Sequence, residues 1–235
     1  MKHIKSILII CLLCMVGMSV WAEGTQPSAG DGTKDNPYQI ATLDNLLWFA
    51  DYVNGDSQHA SACAILTADI TMNTSVLDSY GRSNDGLFDA WTPIGGHNVD
   101  YSGEFNGNGH TISGLYFKDT SVNNVGLFGK VTDNAYIHDL GIKDSYFYGK
   151  NHVGGICGDF ASGRIENCWN GAYVMAYDYD AGGISGSCYT SASIANCYNI
   201  GIVSTYEEKG GTQDTRFGGI CGSVYNSSAT YSIDN

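Results

Sequence analysis

A short segment rich in tyrosine and aspartate has the residue types best suited to binding chemistry. It comprises Tyr177, Asp178, Tyr179 and Asp180. Aromatic rings beside carboxylates are typical of carbohydrate recognition, because a ring stacks on the C–H face of a sugar while polar groups bond its hydroxyls. We predict that these four residues form a ligand-binding site. The alternative is that the rings cover the fold and the carboxylates are solvated loop acids.

Further aromatic residues recur through the second half of the chain. Some of them must belong to the core, whereas those beside Asp or Asn could form an exposed stripe along one long face. The set comprises Tyr146, Phe147, Tyr148, Trp169, Tyr173, Tyr189, Tyr198 and Tyr206.

Acid–base catalysis is the main competing chemistry. A glycosidase needs two carboxyl groups held at a defined separation. Asp139 aligns with Asn167 and Asn196 in the repeat described below, so one acid stands where such an enzyme needs two. The zinc-peptidase signature His-Glu-x-x-His is absent, and no pair Cys-x-x-Cys occurs in residues 23–235. The sequence therefore predicts no catalytic residue, no metal site and no cofactor; calcium among the acidic loops stays open, although the EF-hand spacing is missing.

A glycine-rich phrase recurs four times in the chain. It reads VGLFGK from Val125, VGGICG from Val153, AGGISG from Ala181 and FGGICG from Phe217, at intervals of 28, 28 and 36 residues. A second phrase, IHDLGI, IENCWN and IANCYN in successive units, keeps the same step at intervals of 28 and 29 residues. The second half of the chain is therefore built from repeats.

The repeated units predict a solenoid of strands. Each unit holds short strand-like pieces with alternating apolar residues and shows no sustained helical periodicity. A unit of this size cannot bury its own apolar face and must stack on its neighbours. We therefore predict an all-β fold, a single right-handed parallel β-helix with coils of about 28 residues. Equivalent side chains then form ladders about 4.8 Å apart.

The repeated Gly and Asn residues receive structural roles in this prediction. A phosphate-binding loop would need a helix and a closing Lys-Ser or Lys-Thr pair after the glycines, and neither follows. We expect the glycines to turn the corners of the coils with positive φ and to let adjacent backbones approach closely. We expect Asn167 and Asn196 to bond along the stack with Asp139. The glycines are Gly126, Gly129, Gly155, Gly158, Gly183, Gly186, Gly219 and Gly222.

Residues 1–22 have the features of a secretory signal peptide. Two lysines precede an almost wholly apolar run, Ile7 to Val20, whose 14 residues are fewer than a membrane span needs. Cleavage after Ala22 would leave residues 23–235 as one β-helix domain. We expect this domain to be secreted or displayed on the cell surface, with no transmembrane span of its own.

The charge of the chain argues against nucleic acid as a partner. The net charge is −13, and it becomes −15 once Lys2 and Lys5 leave with the signal (−13 − 2). A chain this acidic is repelled by nucleic-acid backbones and by anionic membrane surfaces. No basic run offsets the repulsion, so we predict no nucleic-acid partner.

The two ends of the mature chain are expected to differ. Residues 23–36 are typical of a flexible start, and residues 42–54 predict an amphipathic helix that caps the open end of the coils. Repeats occupy residues 125–235, and the chain ends before a polar capping unit. Either the chain is truncated at the C-terminus, with the missing part of a larger protein as a partner, or the last coil is itself the cap. We expect the truncation.

The cysteines follow the register of the repeat. Six would remain in the mature chain, since two of the eight lie in the signal (8 − 2). The repeat places Cys168 and Cys197 one coil apart, where a disulfide is feasible, with Cys188 as a competing partner. Cys157 and Cys221 would lie two coils apart, too far for a disulfide. We predict a stacked ladder of thiols with at most one disulfide.

The glycine-rich repeats resemble the GLUG motif of secreted and surface β-helix proteins, many of them from gut anaerobes. The matching segments are 126–129, 155–158, 183–186 and 219–222, and the phrases at 36–40, 66–70 and 107–112 match the pattern that precedes such repeats. This resemblance implies a parallel β-helix. Such repeats occur in adhesin-like proteins and in non-catalytic regions of IgA-cleaving metallopeptidases, and the resemblance transfers no catalytic residue.

Together these features predict a non-enzymatic, adhesin-like module that recognises host glycans or glycoproteins. One alternative is a β-helix enzyme that degrades polysaccharide, which needs carboxylates converging on one face. The other is a structural spacer within a larger surface protein or peptidase, which needs no exposed aromatic stripe.

Overall fold

The structure is a computed structural model that describes residues 24–84, 86–96, 98–206 and 216–225. The predicted signal segment 1–22 and the chain end at 226–235 lie outside these residues. The predictions of signal cleavage and of a C-terminal truncation therefore stay predictions.

Strands make up most of the secondary structure. Helix α1 spans Leu43–Gly55, and a 3₁₀ turn follows at Ser57–His59. The strands are β1 (Tyr38–Ile40), β2 (Ala64–Leu66), β3 (Ile70–Thr71), β4 (Glu104–Asn106), β5 (Thr111–Ser113), β6 (Tyr116–Lys118), β7 (Phe128–Val131), β8 (Tyr136–His138), β9 (Gly141–Gly149), β10 (Val153–Gly154), β11 (Cys157–Glu166), β12 (Trp169–Ala176), β13 (Ala181–Gly182), β14 (Ser185–Ala195), β15 (Tyr198–Asn199), β16 (Val203–Thr205), β17 (Phe217–Gly218) and β18 (Cys221–Tyr225).

These strands pair in parallel and build three sheets. Sheet 1 runs in the order β1-β2-β4-β8-β11-β14-β18, with β7 also paired to β11. Sheet 2 runs β15-β12-β9-β5-β3, with β16 on β12 and β6 on β9, and sheet 3 runs β10-β13-β17. The chain visits the sheets in turn and returns one position further along, so the molecule is a parallel β-solenoid of about six coils. The predicted fold class is confirmed.

The register of the sheets agrees with the register of the repeat. The first residues of the four glycine-rich phrases are Cα partners on successive coils. In sheet 1, Ile165 pairs with Ile137 on one side and with Ile194 on the other. The repeated phrases therefore stack on one another in space as they align in sequence.

Ladders of apolar side chains fill the inside of the coils. Phe105, Ile137 and Ile165 stand on consecutive coils of sheet 1 and are completely buried. Phe147 and Val174 form an equivalent, completely buried pair on sheet 2. Burial of one such side chain stabilises the fold by about 1.5–3 kcal/mol, so the coils hold one another together.

Helix α1 covers one end of this core. Thr42 caps the helix, because its hydroxyl accepts a hydrogen bond from the backbone N–H of Asn45 at 3.2 Å. Phe49 is completely buried, and its ring contacts Tyr101 and Phe105 at centroid distances of 6.3 and 6.0 Å. The helix therefore shields the core of the first coils from water.

Residues 24–36, expected to be a flexible start, are tied to this cap. The backbone N–H of Thr25 donates to the carbonyl of Asp44 at 3.0 Å, and that of Gln39 donates to Ala29 at 3.0 Å. The polar composition of the segment suggested flexibility, but composition does not reveal these backbone contacts or the ion pair of Lys34 with Glu104 at 3.1 Å.

The glycines of the repeat have one of the two roles predicted for them. None of the eight has a φ in the left-handed region, so the predicted positive φ is wrong. The predicted close approach of adjacent backbones is present: a Cβ at Gly158 would overlap the backbone of Val125, and one at Gly183 would overlap the backbone of Gly219. A side chain at either position would force the coils apart.

Short polar residues turn the corners instead. Asp139, Asn167 and Asn196 have φ values of 53°, 53° and 52°. Asn167 donates to the Asp139 carboxylate at 2.9 Å, and Asn196 donates to Asn167 at 3.3 Å. Asn and Asp adopt this conformation more readily than other non-glycine residues because their short side chains bond locally. The ladder predicted for these three positions is present.

A second amide ladder, not anticipated from the sequence, lies inside the coils. Asn170 is completely buried, and its Nδ2 donates to Asn199 Oδ1 at 2.8 Å while its Oδ1 accepts from the backbone N–H of Ala172 at 3.1 Å. A Cβ at Gly155 would overlap the Asn170 amide, so this glycine makes room for the ladder. The interior amide is tolerated because its donors and acceptors are satisfied.

All six described cysteines are free thiols. Cys168 and Cys197 lie on adjacent coils, as predicted, and the backbone N–H of Cys168 donates to the Cys197 sulfur at 3.4 Å. Cys188, expected to compete for this pair, lies against Cys221 instead. Sequence alignment missed this contact because the two residues are not register partners.

Candidate functional site

The four residues predicted to bind a ligand lie in the turn between β12 of sheet 2 and β13 of sheet 3. Tyr177, Asp178 and Tyr179 are half-buried, and Tyr177 stacks on Tyr206 of the next coil with ring centroids 5.3 Å apart. Asp180 is completely buried. The structure therefore brings three of the four residues to the surface together and takes the fourth inside.

Asp180 is the centre of an ion-pair network. Its carboxylate lies 2.8 Å from the Arg216 guanidinium, 2.8 Å from the Tyr225 hydroxyl and 3.2 Å from His152 Nε2. Burial alone would raise the pKa of this carboxyl, but hydrogen bonds from His152 and Tyr225 and the charge of Arg216 lower the pKa of Asp180 to about 2. The Asp180 carboxylate is therefore occupied by contacts within the protein and is not exposed to a ligand.

The outer face of sheet 2 carries many of the aromatic residues that the sequence singles out. Strand β12 alternates between half-exposed and buried residues, with Trp169 and Tyr173 among the outward ones. The parallel register sets Tyr146 beside Tyr173 and Tyr198 beside Trp169. Phe147 differs from these, since it points inward and is completely buried. Two outward aromatic columns result.

One of these columns is covered. Tyr116, Tyr146 and Tyr173 follow one another along the coils at centroid distances of 5.6 and 5.5 Å, and Phe88 lies over Tyr116 at 5.1 Å. Tyr146 is only 6% exposed as a result. At Tyr146 this column therefore packs like an extension of the core, and the centre of the column offers little surface to a ligand.

The other column is open to solvent. Trp169 stands opposite Gly141 on the adjacent coil, and a Cβ at Gly141 would overlap three atoms of the indole. The indole therefore lies across the glycine, in the space where a side chain would project. The Tyr198 ring is 54% exposed and within 7° of parallel to the indole, at a centroid distance of 6.2 Å. Because this separation is wide, the rings are offset and part of each face is uncovered. We call Gly141, Trp169 and Tyr198 the Trp169 platform.

Charged groups border the Trp169 platform on one side. Lys143 is the next outward residue after Gly141 on β9 and is exposed. Asp69 lies two coils before Gly141 on the same face, where its carboxylate accepts from the backbone N–H of Thr111 at 2.9 Å and lies 3.3 Å from His110 Nδ1. The Thr111 N–H, followed by His110 and Lys143, lowers the pKa of Asp69. Lys143 therefore borders the platform directly, and Asp69 lies further along the same face.

The corner amide ladder borders the platform on the other side. Asn167 and Asn196 are exposed and precede Trp169 and Tyr198 by two residues. Ring faces, amides and charges together can stack on the C–H face of a sugar and bond its hydroxyls. A signal for this site was present in the sequence, because the phrases IENCWN and IANCYN repeat an Asn before each ring and the alignment places Gly141 opposite Trp169.

A charged cluster on the outer face of sheet 1 was not anticipated. His138 lies between two carboxylates, with Nδ1 2.7 Å from Asp139 and Nε2 3.5 Å from Glu104. On the next coil, Glu166 accepts from Arg164 at 2.6 Å. The hydrogen bond from His138 lowers the pKa of the Asp139 carboxyl. A glycosidase acid needs a raised pKa, whereas the pKa of Asp139 is lowered.

In the part of the chain that the structure describes, no group of three or more His, Cys, Asp or Glu side chains is arranged to hold a metal ion. Within the same ranges, no helix combines the length and the apolar character that a membrane crossing requires.

Comparison with known sequences places the chain beside much longer proteins. No protein-family model matches it. Over 154 residues it is 31% identical to a protein of Evansella cellulosilytica, provisionally named a Gly-rich membrane protein, covering 62% of this chain and 16% of that protein. Over 168 residues it is 30% identical to the halomucin of Haloquadratum walsbyi, covering 70% of this chain and 2% of the halomucin. The chain thus spans a small part of these relatives.

A solved structure supports the fold independently. The crystal structure of a Bacteroides ovatus protein, provisionally named an immunoglobulin A1 protease, aligns with a TM-score of 0.58 and 22% identity. The alignment covers 86% of this chain and 66% of that one. At this level of identity the likeness establishes the β-solenoid fold alone.

Proposed function

We propose that this chain is a non-catalytic binding module of a larger cell-surface protein and that it recognises carbohydrate through the Trp169 platform. The observation that carries the proposal is the offset pair of rings, Trp169 and Tyr198, which are half-exposed and exposed, respectively, beside Lys143. Uncovered ring faces stack on the C–H faces of sugars, and neighbouring charges and amides bond hydroxyl groups. Host glycans or glycoproteins are the ligand class.

The relatives support a surface location. They carry the names membrane protein and halomucin, and this chain spans 16% and 2% of their lengths. A solenoid suits a long surface protein, because its coils add in one direction and leave a continuous face exposed. The signal peptide predicted at 1–22 would export such a protein.

The test measures retention of the purified chain on immobilised mucins and on plant and host polysaccharides. Trp169→Ala and Tyr198→Ala each remove one ring from the platform. Loss of one stacked ring costs about 1–2 kcal/mol, or roughly a five- to thirtyfold loss of affinity. Tyr177→Ala, examined in parallel, asks whether the turn singled out by the sequence takes part.

Tyr136→Ala is the matched control, because Tyr136 is a half-buried aromatic residue on the outer face of the opposite sheet. It should bind like the unaltered chain. Unchanged retention of Trp169→Ala, or an equal loss in Tyr136→Ala, would contradict the assignment of the platform.

The same samples distinguish the two other functions. New reducing ends released from a polysaccharide would indicate an enzyme, and Glu166→Gln on sheet 1 would then be the first variant to assay. Folded protein that neither is retained nor releases reducing ends would indicate a structural spacer and would overturn the binding proposal.

A further inference from the structure

Two cysteine sulfur atoms on the last two described coils are in direct contact. Cys188 lies on β14 and Cys221 on β18, adjacent strands of sheet 1, and their Sγ atoms are 2.8 Å apart. A disulfide bond measures about 2.05 Å, so the two sulfurs need to approach by only about 0.8 Å to form one. The contact runs diagonally, because Cys221 is the register partner of Ser185 and Cys188 that of Val224.

The remaining cysteines of the repeats have other contacts. The thiols of Cys168 and Cys197 donate to main-chain carbonyl groups at 3.3 and 3.2 Å, as the Cys221 thiol also does to Ser223 at 2.9 Å. Cys157 is completely buried and lies two coils from Cys221, with Ser185 between them. The sulfur–sulfur distance of 2.8 Å is therefore the observation that marks Cys188 and Cys221 as a pair.

We propose that Cys188 and Cys221 form a disulfide bond in the exported protein. Each thiol loses its proton and the S–S bond forms. The two electrons pass to a disulfide-bearing oxidant, such as oxidised glutathione, which is reduced to two thiols. Oxidising compartments outside the cytoplasm supply oxidants of this class.

The bond links the last described coil to the coil before it. Residues 216–225 pair with that coil through β18 and β14, and Phe217 is 63% exposed. The stability of a solenoid comes largely from the interfaces between adjacent coils. A covalent link between β14 and β18 holds this coil closed.

The disulfide is expected to form during folding, before the last described coil has packed against its neighbour. Contact with Cys188 and burial both raise the pKa of the Cys221 thiol. A protonated thiol is a poor nucleophile, so the folded pair reacts slowly once the last coil has docked. The pair is expected to oxidise while the coil is still open.

The experiment maps the linkage in the full chain, folded in a glutathione redox buffer that supplies the oxidant, so it needs no assumption about export. The protein is denatured, alkylated without reductant and digested with trypsin and chymotrypsin. Trypsin cleaves after Lys209 and Arg216 and separates Cys188 from Cys221, and chymotrypsin cleaves at aromatic residues and separates Cys188 from its neighbouring cysteines. We expect one pair of peptides joined through Cys188 and Cys221, released by reduction.

Two variants keep the result interpretable. Cys221→Ser should abolish the joined peptides and leave Cys188 alkylated. Cys197→Ser, which removes a thiol on the same coil as Cys188, should leave the linkage intact. Reduction should accelerate amide exchange in β18 of the unaltered protein but not of Cys221→Ser. Alkylation of both cysteines in oxidised, folded protein, or a link through another cysteine, would overturn the proposal.

Discussion

Replacement of Asp180 by asparagine tests how the last described coil is held. The carboxylate is completely buried and lies 2.8 Å from both Arg216 and Tyr225, which belong to that coil. Removing one partner of a buried ion pair costs about 3–5 kcal/mol. The Arg216 side chain is 44% exposed and recovers part of its hydration. We therefore expect Asp180→Asn to lower the free energy of unfolding by about 2–3 kcal/mol.

The pKa of Asp180 gives a second estimate of how much its ionised form contributes to the free energy of unfolding. It is about 2 in the folded protein. An ordinary aspartate titrates near pH 3.9 and one pKa unit is about 1.4 kcal/mol, so ionisation stabilises the folded state by about 2–3 kcal/mol. Because the folded pKa lies below the unfolded one, this stability is complete above about pH 5 and is lost as the pH falls toward about 2.

The assay combines urea unfolding over this pH range with amide exchange in β17 and β18. Asp180→Asn should be less stable than the unaltered chain near neutral pH, should lose less stability on acidification, and should exchange faster in the last coil. Asp133→Asn is the matched control, because Asp133 is an exposed corner residue at a φ of 56°, where asparagine also fits. Equal stability of Asp180→Asn and the unaltered chain, or an unchanged pH dependence, would refute the ion-pair reasoning.

Three further substitutions test the core, the corner ladder and the platform. Phe147→Ala should lower the free energy of unfolding by about 3–5 kcal/mol in urea titrations, since it empties a completely buried site; a loss below about 1 kcal/mol would contradict this packing. Asn167→Ala loses the ladder bonds and places alanine at a φ of 53°, costing about 2 kcal/mol, whereas Asn167→Gly should cost about half as much because only the bonds are lost. Equal losses of unfolding free energy in the two variants would show that the positive φ at residue 167 contributes no strain. Gly141→Ala should displace the Trp169 indole and reduce glycan retention as far as Trp169→Ala does, with the circular dichroism spectrum unchanged; full retention would show that the indole does not depend on this glycine.

The architecture was predictable because a repeat carries the same information several times. Ile165 aligns with Ile137 and Ile194 in the sequence, and the three are partners in sheet 1. In a solenoid, residues that align between successive repeats also lie next to each other in space, because each coil packs on the next in register. The corner ladder at Asn167 followed from the same alignment.

The alignment did not predict which of the two expected uses each repeated glycine serves. Glycine serves both where φ is positive and where two backbones approach closely, and the sequence does not tell these uses apart. At Gly158 the reason is the neighbouring backbone of Val125, which lies one coil away. The corners use asparagine and aspartate, whose side chains bond locally and stabilise the left-handed conformation.

The sequence by itself determined the class of fold and the register of the coils, because these follow from a period that every unit repeats. The tertiary structure alone decided which aromatic residues point outward and which of those are open. Tyr146 and Trp169 both point outward on sheet 2, yet Phe88 and the tyrosine column cover the first, while the second lies over Gly141 beside an exposed Tyr198. Likewise Asp178 stays at the surface and Asp180 is buried against Arg216, which is 36 residues further along the chain. Exposure depends on contacts between segments distant in sequence, and a local period carries no information about them.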